Sequence, residues 1–449
     1  MQARNAAITR ETGKLIEELK RLGWYHSIEL PDGRVIEGLQ SLDRLRWRLA
    51  QFPIPADLRG KRVLDIGAWD GWFSFEMERR GADVVAVDFA GQPRFHEARK
   101  LLNSRAEYVV GDICQLTPAQ LGYFDIVLFL GVLYHLKHPM LALERVCEFS
   151  KDLVCVESYV TDTGADPNGI PLMEFYEGTE LRGQFDNWVG PNTPCLLAFC
   201  RTAGFASVEL GAVVDNRAHV ACRRKFPEPA AVTAPKPYIV HVENSVTLDH
   251  QYSPSHDDYL SIWFKTEEQG LTPGNVFPQA GPYGSRPVVV HSTAENCWHL
   301  VCKLPLGLAP GWHKVKLRTA ASEWSNALRI GVDLSEEERQ RSVTSAGSNG
   351  LSIAVAADGK TWERNLVRLG DEAWISLWVE GLPYAASMEE VRVRLNGTDL
   401  PAAFLSVPDE ANRRQINARL PRGLPESDAQ ITVVFRESES PAVAVRLLQ

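Results

Sequence analysis

The stretch "VLDIGAWDGWFSF" at residues 63–75 decides the fold of the first half of the chain. An apolar strand runs into a turn marked by Gly67 and Gly71, and a helix begins directly after it. The same alternation continues downstream, with the strands "RVLDIG", "DVVAVD", "AEYVVGD", "FDIVLFLG" and "LVCVES" and helices near 72–80, 93–103 and 139–148. Near-continuous apolar strands that alternate with helices predict an α/β fold, a Rossmann-like doubly wound parallel sheet covered on both faces.

The segments on either side of this core extend the same domain. Residues 11–22 place Leu15, Ile16, Leu19 and Leu22 on one helical face, which predicts an N-terminal helix that acts as a lid. "GWYHSIELPDGRVIEG" predicts a short strand or hairpin around the turn at 31–33. After residue 192 we expect one more helix, stopped by Gly204, and two further strands.

The C-terminal half has a different character. The stretch "KFPEPAAVTAPKP" at 225–237 is typical of a linker, and beyond it short β-rich runs alternate with Gly/Pro turns. This half also repeats: "DDYLSIWFK" (257–265) matches "DEAWISLWVE" (371–380), which aligns Trp263 with Trp378, and "LPLGLAPGWHKVKLR" (304–318) matches "LPRGLPESDAQITVVF" (420–435). We therefore predict a domain over 1–226 and two tandem all-β sandwiches over 237–333 and 350–449. The two aligned tryptophans are expected to fill the sandwich cores.

Composition excludes few function classes. The chain has 449 residues and a formal net charge of −9, so it has no general attraction for nucleic acid or anionic membranes. Its eight cysteines show no spacing typical of metal ligands, and we expect reduced, mostly buried thiols and no metal. The polar N-terminus and the lack of a long apolar run predict a cytoplasmic protein without a membrane span.

The turn itself indicates which ligand it holds. Trp69 stands where a dinucleotide-binding turn has its middle glycine, so a pyrophosphate cannot approach the backbone closely. S-adenosylmethionine has no phosphate and carries cationic groups that acids can meet. Asp65, Asp70, Asp88 and Asp112 lie in the turn or at the ends of successive strands, which fits this ligand. The alternative is a structural sheet that holds no cofactor.

Two segments carry a family resemblance. "VLDIGAWDGWFSFEMERRGADVVAVD" and "FDIVLFLGVLYHLKHPMLALERV" resemble class I S-adenosylmethionine-dependent methyltransferases, and more narrowly the branch related to the tRNA wobble-uridine 5-oxyacetic acid enzymes. The resemblance covers about residues 20–225, and Trp69 is shared with this branch. It implies S-adenosyl-L-methionine as cofactor and S-adenosyl-L-homocysteine as product. The tRNA enzymes use a carboxylated cofactor, and ordinary S-adenosylmethionine is the preferred interpretation here.

The resemblance also implies site residues. Asp88 would bind the ribose, Asp112 and Ile113 would frame the adenine, and Leu130 and Gly131 would line the methionine end. The other cofactor-binding candidates lie in the glycine turn, after the second strand and in the N-terminal segment: Asp65, Gly67, Ala68, Trp69, Gly71, Phe89 and Tyr25.

Methyl transfer to a hydroxyl needs a base that accepts its proton. His135 follows the fourth strand beside the expected methyl position and, with Tyr134, is the catalytic candidate. The alternative is a histidine that caps the strand end, and His138 before Pro139 is interpreted as structural. Trp24, Tyr25 and His26 either fold over the cofactor as a lid or pack structurally.

The methyl acceptor has weaker candidates. Glu157 after the fifth strand, and Trp188 and Asn192 in "FDNWVGPNTP" (185–194), are the candidate substrate contacts. Acidic composition disfavours RNA, so we expect a hydroxyl or amine on a small molecule, sugar or glycan. A tRNA wobble-uridine methyl or carboxymethyl transferase is the enzymatic alternative, and a cofactor-binding scaffold is the non-enzymatic one.

The tail carries a second resemblance. "GLAPGWHKVKLRTAASEWSNALRI" and "VRVRLNGTDLPAAFL" resemble immunoglobulin-like domains of the IPT/TIG type. Such modules imply binding of a glycan or polymeric substrate, docking of a partner, or formation of a homo-oligomer. The tail's histidines, His241, His291, His299 and His313, show no ligand spacing.

Overall fold

The computed structural model describes residues 23–162, 168–341 and 350–449. The chain divides into two compact units, Met1–Phe226 and Pro227–Gln449. The helix expected over 11–22 lies outside the described residues, and the finer domain limits stay a prediction. Within the part of the chain that is described, no helix combines the length and the apolar character that crossing a bilayer needs.

The N-terminal unit is built on strands and helices that alternate along the chain. The strands are β1 Trp24–His26, β2 Ile28–Glu29, β3 Val35–Ile36, β4 Gly38–Gln40, β5 Arg62–Ile66, β6 Asp83–Asp88, β7 Glu107–Val110, β8 Phe124–Leu130, β9 Ser150–Tyr159, β10 Met173–Phe175, β11 Val189–Pro191, β12 Ser207–Val214 and β13 Arg217–Arg223. The helices are α1 Leu42–Leu49, α2 Trp72–Arg79, α3 Pro93–Leu102, α4 Pro118–Leu121, α5 Pro139–Phe149 and α6 Thr193–Thr202, with a 3₁₀ turn at Leu133–His135.

Seven of these strands form one sheet in the order β12-β13-β9-β8-β5-β6-β7. Strands β5 to β9 pair in parallel, and β13 and β12 add an antiparallel edge. Neighbouring residues of β5 belong to different hydrophobic clusters, Val63 to one and Leu64 to the other. The sheet is therefore buried on both faces, as the α/β prediction required. The chain order reverses between β5 and β8, which is where such sheets bind ligands.

The C-terminal unit is largely β-structure. Its strands are β14 Tyr238–Asn244, β15 Gln251–Tyr252, β16 Tyr259–Lys265, β17 Val276–Ala280, β18 Tyr283–Gly284, β19 Pro287–Ala294, β20 Cys297–Lys303, β21 Gly311–Thr319, β22 Leu328–Val332, β23 Ser352–Asp358, β24 Leu366–Arg368, β25 Trp374–Glu380, β26 Val391–Leu395, β27 Thr398–Leu405, β28 Arg414–Arg419, β29 Ser427–Phe435, β30 Ser438–Glu439 and β31 Val443–Leu448. A short helix, α7, spans Glu336–Gln340, and 3₁₀ turns lie at Pro254–His256 and Met388–Glu390.

The strands before residue 333 form a four-stranded and a five-stranded sheet, and those after residue 351 form one nine-stranded sheet. In that sheet β27 pairs with β26 at its start and with β28 at its end, with a register shift between Ala402 and Phe404. The sequence repeat falls on corresponding strands, β16 with β25 and β21 with β29.

The expectation that Trp263 and Trp378 fill the cores is wrong. Both are only half-buried, and the core positions of their strands belong to their neighbours, Phe264 and Leu377 among them. Successive side chains of a strand point to opposite faces, so a residue next to a core position faces away from that core. Trp263 instead stacks on His299, with ring centroids 4.4 Å apart.

Buried Tyr384 connects the halves of the C-terminal unit, and buried Arg414 binds backbone carbonyl oxygens within the second half. The Tyr384 hydroxyl accepts the N–H of Gly331 at 3.0 Å and donates to the carbonyl of His250 at 2.6 Å. Arg414, 1% exposed, donates to the carbonyl oxygens of Ser406 at 2.7 Å and Pro383 at 2.6 Å. Tyr384 packs in the hydrophobic cluster of the first half, although it follows β25 of the second.

We predict that Tyr384→Phe lowers the free energy of unfolding of the C-terminal unit by about 1–3 kcal/mol, because it leaves a buried N–H and a buried carbonyl without their partner. Chemical denaturation of the full chain measures this loss. Tyr123→Phe changes a partly exposed tyrosine of the other unit and is the control. Equal stability of the two variants would contradict a structural role for the Tyr384 hydroxyl.

Candidate active site

The two glycines of the turn after β5 are fixed by close packing. Gly67 and Gly71 have φ of 72° and 90°, in the left-handed region that favours glycine. A Cβ on Gly67 would lie 2.4 Å from a methyl carbon of Val132, and one on Gly71 would lie 2.6 Å from ring carbons of Phe75 and Phe95. The turn therefore runs against the segment that follows β8 and against α3, and larger residues would displace it.

Trp69 adopts a backbone conformation that glycine would adopt more easily. Its φ is 52°, its side chain is 39% exposed, and its N–H donates to Oδ2 of Asp88 at 3.0 Å. The left-handed conformation costs a residue with a Cβ about 1–2 kcal/mol. The neighbouring Ala68 is buried, and its N–H donates to the carbonyl of Val87. The backbone at Trp69 therefore has the conformation that glycine favours, although the residue carries an indole ring.

Three of the predicted acids lie at the carboxyl ends of parallel strands. Asp65 in β5 is 3% exposed, and its Oδ2 accepts the hydroxyl of Ser74 at 2.6 Å. Burial, reinforced by the charge of Asp88, raises the pKa of Asp65 to about 6. Burial also raises the pKa of Asp88 above its ordinary value. Asp112 is exposed, and its Oδ1 accepts the N–H of Cys114.

Asp70 has a structural role, which corrects its assignment to the ligand-facing acids. Its Oδ2 accepts the N–H groups of Tyr25 at 2.6 Å and His26 at 3.0 Å, and the residue is fully buried. The carboxylate fastens β1 to the turn.

Trp24 and His26 are buried, which favours packing over a lid, and burial lowers the pKa of His26 to about 3. Tyr25 is half-buried and is the member of this strand that remains a ligand candidate.

The other predicted cofactor residues lie around the same sheet edge. Phe89, directly after β6, is 75% exposed, whereas Ile113 is buried at 5%. Leu130 ends β8 at 9% exposure, and Gly131 follows with φ of 80°. The structure thus distributes these residues over the ends of β6, β7 and β8, on both sides of β5.

A buried charge network lies beside Gly131. Glu157, 1% exposed, accepts from Arg217 Nη1 at 3.0 Å and forms an ion pair with Arg48, which is 6% exposed. Arg217 Nη2 also donates to the hydroxyl of Tyr134 at 2.9 Å. The two guanidinium groups hold the pKa of Glu157 below its ordinary value, although burial acts in the opposite direction.

This network corrects the assignment of Glu157 as a substrate contact, because both carboxylate oxygens are already bound to arginines in the interior. Arg48 and Arg217 were missed in the sequence. They lie 109 and 60 positions from Glu157, so no local pattern relates them. A Cβ on Gly131 would lie 3.6 Å from Arg217 Nη1, 3.7 Å from the Tyr134 hydroxyl and 3.9 Å from Arg48 Nη2.

His135 is held in a defined orientation. Its Nδ1 lies 3.0 Å from the carbonyl oxygen of Asp186 and 3.5 Å from its carboxylate, and its side chain is 30% exposed. A carbonyl oxygen accepts only, so Nδ1 carries the hydrogen and the neutral ring has its lone pair on Nε2. His138 precedes α5 without a capping bond from its side chain.

Two residues of the segment 185–194, Trp188 and Asn192, make different kinds of contact. The backbone N–H of Trp188 donates to the carbonyl oxygen of Tyr134 at 2.8 Å, and Lys137 Nζ lies 4.2 Å from the centroid of the Trp188 ring. Asn192 caps α6: its Oδ1 accepts the N–H groups of Cys195 at 2.9 Å and Leu172 at 3.0 Å.

The Nδ2 of Asn192 donates to the carbonyl of Ile170 at 2.9 Å. Asn192 is therefore a capping residue, and its assignment as a substrate contact is corrected. Trp188 remains a candidate, bonded to the backbone of Tyr134.

These features define a doubly wound α/β domain with an acid-rich ligand edge. Residues 64–151 match the family model described as Methyltransferase domain. The similarity to a methyltransferase domain therefore lies within the N-terminal unit, from β5 to the start of β9.

Curated relatives share this region. The tRNA U34 carboxymethyltransferase of Pseudomonas fluorescens (strain SBW25) is 28% identical over 171 residues, which is 37% of this chain and 52% of that protein. The protein of the same name from Pseudomonas syringae pv. syringae (strain B728a) is 30% identical over 169 residues, 37% of this chain and 51% of that one. The chain thus spans about half the length of the curated relatives it matches.

Among solved structures, the N-terminal domain of EvdMO1 with SAH bound is 22% identical and covers 48% of this chain and 95% of its own, with a TM-score of 0.36. The Burkholderia thailandensis 1,6-didemethyltoxoflavin-N1-methyltransferase is 19% identical and covers 37% of this chain and 71% of its own, with a TM-score of 0.29.

The pKa of Asp65 predicts a pH dependence of ligand binding. A cationic ligand favours the ionised carboxylate, so the apparent Kd for S-adenosylmethionine should rise as the pH falls below about 6, by up to about tenfold per pH unit. Calorimetry between pH 5 and pH 8 measures this. Asp65→Asn should bind more weakly at pH 7 and lose the dependence. A Kd that is constant across this range would contradict a contact between Asp65 and the cationic end.

Proposed function

We propose that this chain is an S-adenosylmethionine-dependent methyltransferase that acts on a hydroxyl or amine of a small molecule, sugar or glycan. The observation that carries the proposal is the set of acids at the ends of β5, β6 and β7 around a turn without a middle glycine. The matched methyltransferase family model covers the same strands.

The proposed cofactor site follows the strand order. Asp65 meets the cationic methionine end, Asp88 accepts hydrogen bonds from the ribose, and Asp112 with Ile113 frames the adenine. Trp69 and Phe89 are partly or largely exposed beside Asp88, and their rings are available to cover the ligand. Leu130 and Gly131 complete the methionine end. S-adenosylmethionine supplies the methyl group and its leaving group, so the protein has to orient the acceptor and remove its proton.

His135 is the proposed general base. Its orientation by the carbonyl of Asp186 leaves Nε2 free to accept a proton from the acceptor group. Tyr134 is a positioning residue in this proposal, because its hydroxyl accepts the hydrogen bond from Arg217 and its carbonyl holds Trp188. Trp188 is the proposed acceptor contact.

A specific observation favours a second candidate, a tRNA wobble-uridine carboxymethyl transferase. Arg48 and Arg217 carry two positive charges against the single charge of Glu157, beside Gly131 at the proposed methionine end. An additional carboxylate on the transferred group would balance this surplus. The two relatives described above are tRNA U34 carboxymethyltransferases, whose name denotes the same reaction.

For the C-terminal unit we propose two tandem immunoglobulin-like sandwiches, over 237–333 and 350–449. Their corresponding strands and their separate hydrophobic clusters support this division. Binding of a glycan or partner, or self-association, is the role proposed for them. A cytoplasmic location stays a proposal, and the eight cysteines, all free thiols and six of them buried, agree with it.

A thermal-shift comparison separates the candidates. We expect stabilisation by S-adenosylmethionine and S-adenosylhomocysteine, about 2.7 kcal/mol at a ligand concentration 100 times the Kd, and none by NAD. Stronger stabilisation by the carboxylated cofactor, lost in Arg217→Gln, would select the second candidate. Stabilisation by NAD alone would overturn both.

His135→Ala should reduce kcat by about 10²–10⁴-fold and leave the Kd for S-adenosylmethionine within about twofold, because the base acts only on the acceptor. His138→Ala is the matched control, three residues away and exposed, and should keep full activity. Single-turnover assays on an identified acceptor measure both variants. Equal rates for the two variants would remove His135 from the mechanism.

A further inference from the structure

The C-terminal unit contains a cavity of about 420 Å³ that none of the assignments above uses. We call it the β cavity. Its walls come from β14, the segment before β22, β23, β25 and the loop before β28, and the side chains that matter below are Tyr238, Trp362, Arg364, Trp378, Asp409 and Arg413. The volume lies within the range of small-molecule pockets, which is about 300–1,000 Å³.

Three aromatic rings line the β cavity. Trp362 lies edge-to-face with Tyr238, with centroids 4.9 Å apart, and edge-to-face with Trp378, with centroids 5.7 Å apart. All three side chains are half-buried, although apolar side chains of this size contribute most when they are fully buried. Half-exposed rings set at angles to one another form the wall of a pocket that suits a flat, partly apolar ligand.

The backbone of Trp362 is strained to place its ring there. Its φ is 63°, in the left-handed region that a residue with a bulky side chain rarely adopts. The buried carboxylate of Asp358 fixes this loop, because it accepts the N–H groups of Lys360 at 2.8 Å, Thr361 at 2.7 Å and Arg368 at 2.8 Å. Strain of this kind is found at ligand-binding sites, where the surrounding structure maintains it.

The cavity wall contains one cation, Arg364, that forms no ion pair within the described residues, and a second cation, Lys265, lies against the ring of Trp362 outside that wall. Lys265 Nζ lies 5.3 Å from the ring centroid of Trp362, and Arg364 follows Trp362 by two positions in the cavity wall. Neither side chain forms an ion pair within the described residues. The acids of the wall are already paired, Asp409 with Arg413 at 2.8 Å and Glu410 with Lys314 at 2.6 Å. The unbalanced charge at the β cavity is therefore positive.

The walls are held in place before any ligand binds. Asp409 Oδ1 accepts the N–H groups of Ala411 and Arg413, both at 2.9 Å, which orders the loop before β28. Asn326 exchanges two hydrogen bonds with the backbone of Ile239, at 2.7 Å and 3.0 Å, which joins the two segments of the opposite wall. Such preorganisation lowers the entropy cost of binding.

We propose that the β cavity binds a saccharide that carries an acidic group, such as a uronate residue. Sugar rings have apolar C–H faces that pack on aromatic rings and hydroxyls that hydrogen-bond to planar polar side chains. The tryptophans provide the first kind of contact, and Arg364 in the cavity wall binds the carboxylate. The proposal goes beyond methyl transfer and does not depend on which acceptor the N-terminal unit uses.

The test is an array of acidic and neutral oligosaccharides, followed by calorimetry of the full chain with oligogalacturonate and with maltohexaose as the neutral probe. We expect binding to uronate-containing members. Trp362→Gly removes the ring and relaxes the left-handed backbone, so the protein stays folded, and its affinity should fall at least tenfold. Arg364→Gln should reduce the preference for oligogalacturonate over maltohexaose.

Trp263→Ala is the control, because Trp263 occupies the position of β16 that corresponds to Trp378 in β25 and lies outside the cavity wall. This variant should bind oligogalacturonate like the unmodified protein, and all variants should keep the thermal shift given by S-adenosylmethionine. The proposal is overturned if no acidic member of the array binds, or if Trp362→Gly binds as tightly as Trp263→Ala. Neither result changes the methyltransferase assignment, which the S-adenosylmethionine shift tests separately.

Discussion

The buried carboxylate of Glu157 constrains the whole ligand edge of the α/β unit. An isolated charge in this interior would cost several kcal/mol, so its pairing with Arg48 and Arg217 is a condition of folding. The three residues come from β9, α1 and β13, and Arg217 also holds the hydroxyl of Tyr134. Because Tyr134 precedes His135 and its carbonyl accepts from Trp188, the position of the proposed base depends on the same charges.

This dependence explains which site residues the sequence could predict. The end of each parallel strand follows from apolar periodicity, so Asp65, Asp88 and Asp112 could be placed correctly at one edge. What a polar side chain binds is decided by residues far away in the chain. The carboxylate of Asp70 is occupied by N–H groups 45 and 44 positions earlier, and that of Glu157 by Arg48, 109 positions earlier. The sequence identifies an acid but does not reveal its distant partner.

The C-terminal unit shows a similar limit for apolar residues. The internal repeat located two pairs of corresponding strands, but it did not tell which face of a strand is the core face. Trp263 and Trp378 were assigned to the cores by their size, whereas alternation gives those places to neighbours such as Phe264 and Leu377. A strand with apolar residues on both faces has no pattern that distinguishes them, so only the packing of the second layer decides.

The two strained tryptophans connect these findings. Most described residues with left-handed backbone, apart from glycine, are Asn or Asp, for which this conformation costs least, and Trp69 and Trp362 are two of the five exceptions. Neither ring is fully buried, so core packing does not offset the strain. Glycine at either position would relax the backbone and remove only the ring. The strain is therefore best explained by what the ring contacts, and each ring borders one of the two ligand sites proposed for this chain.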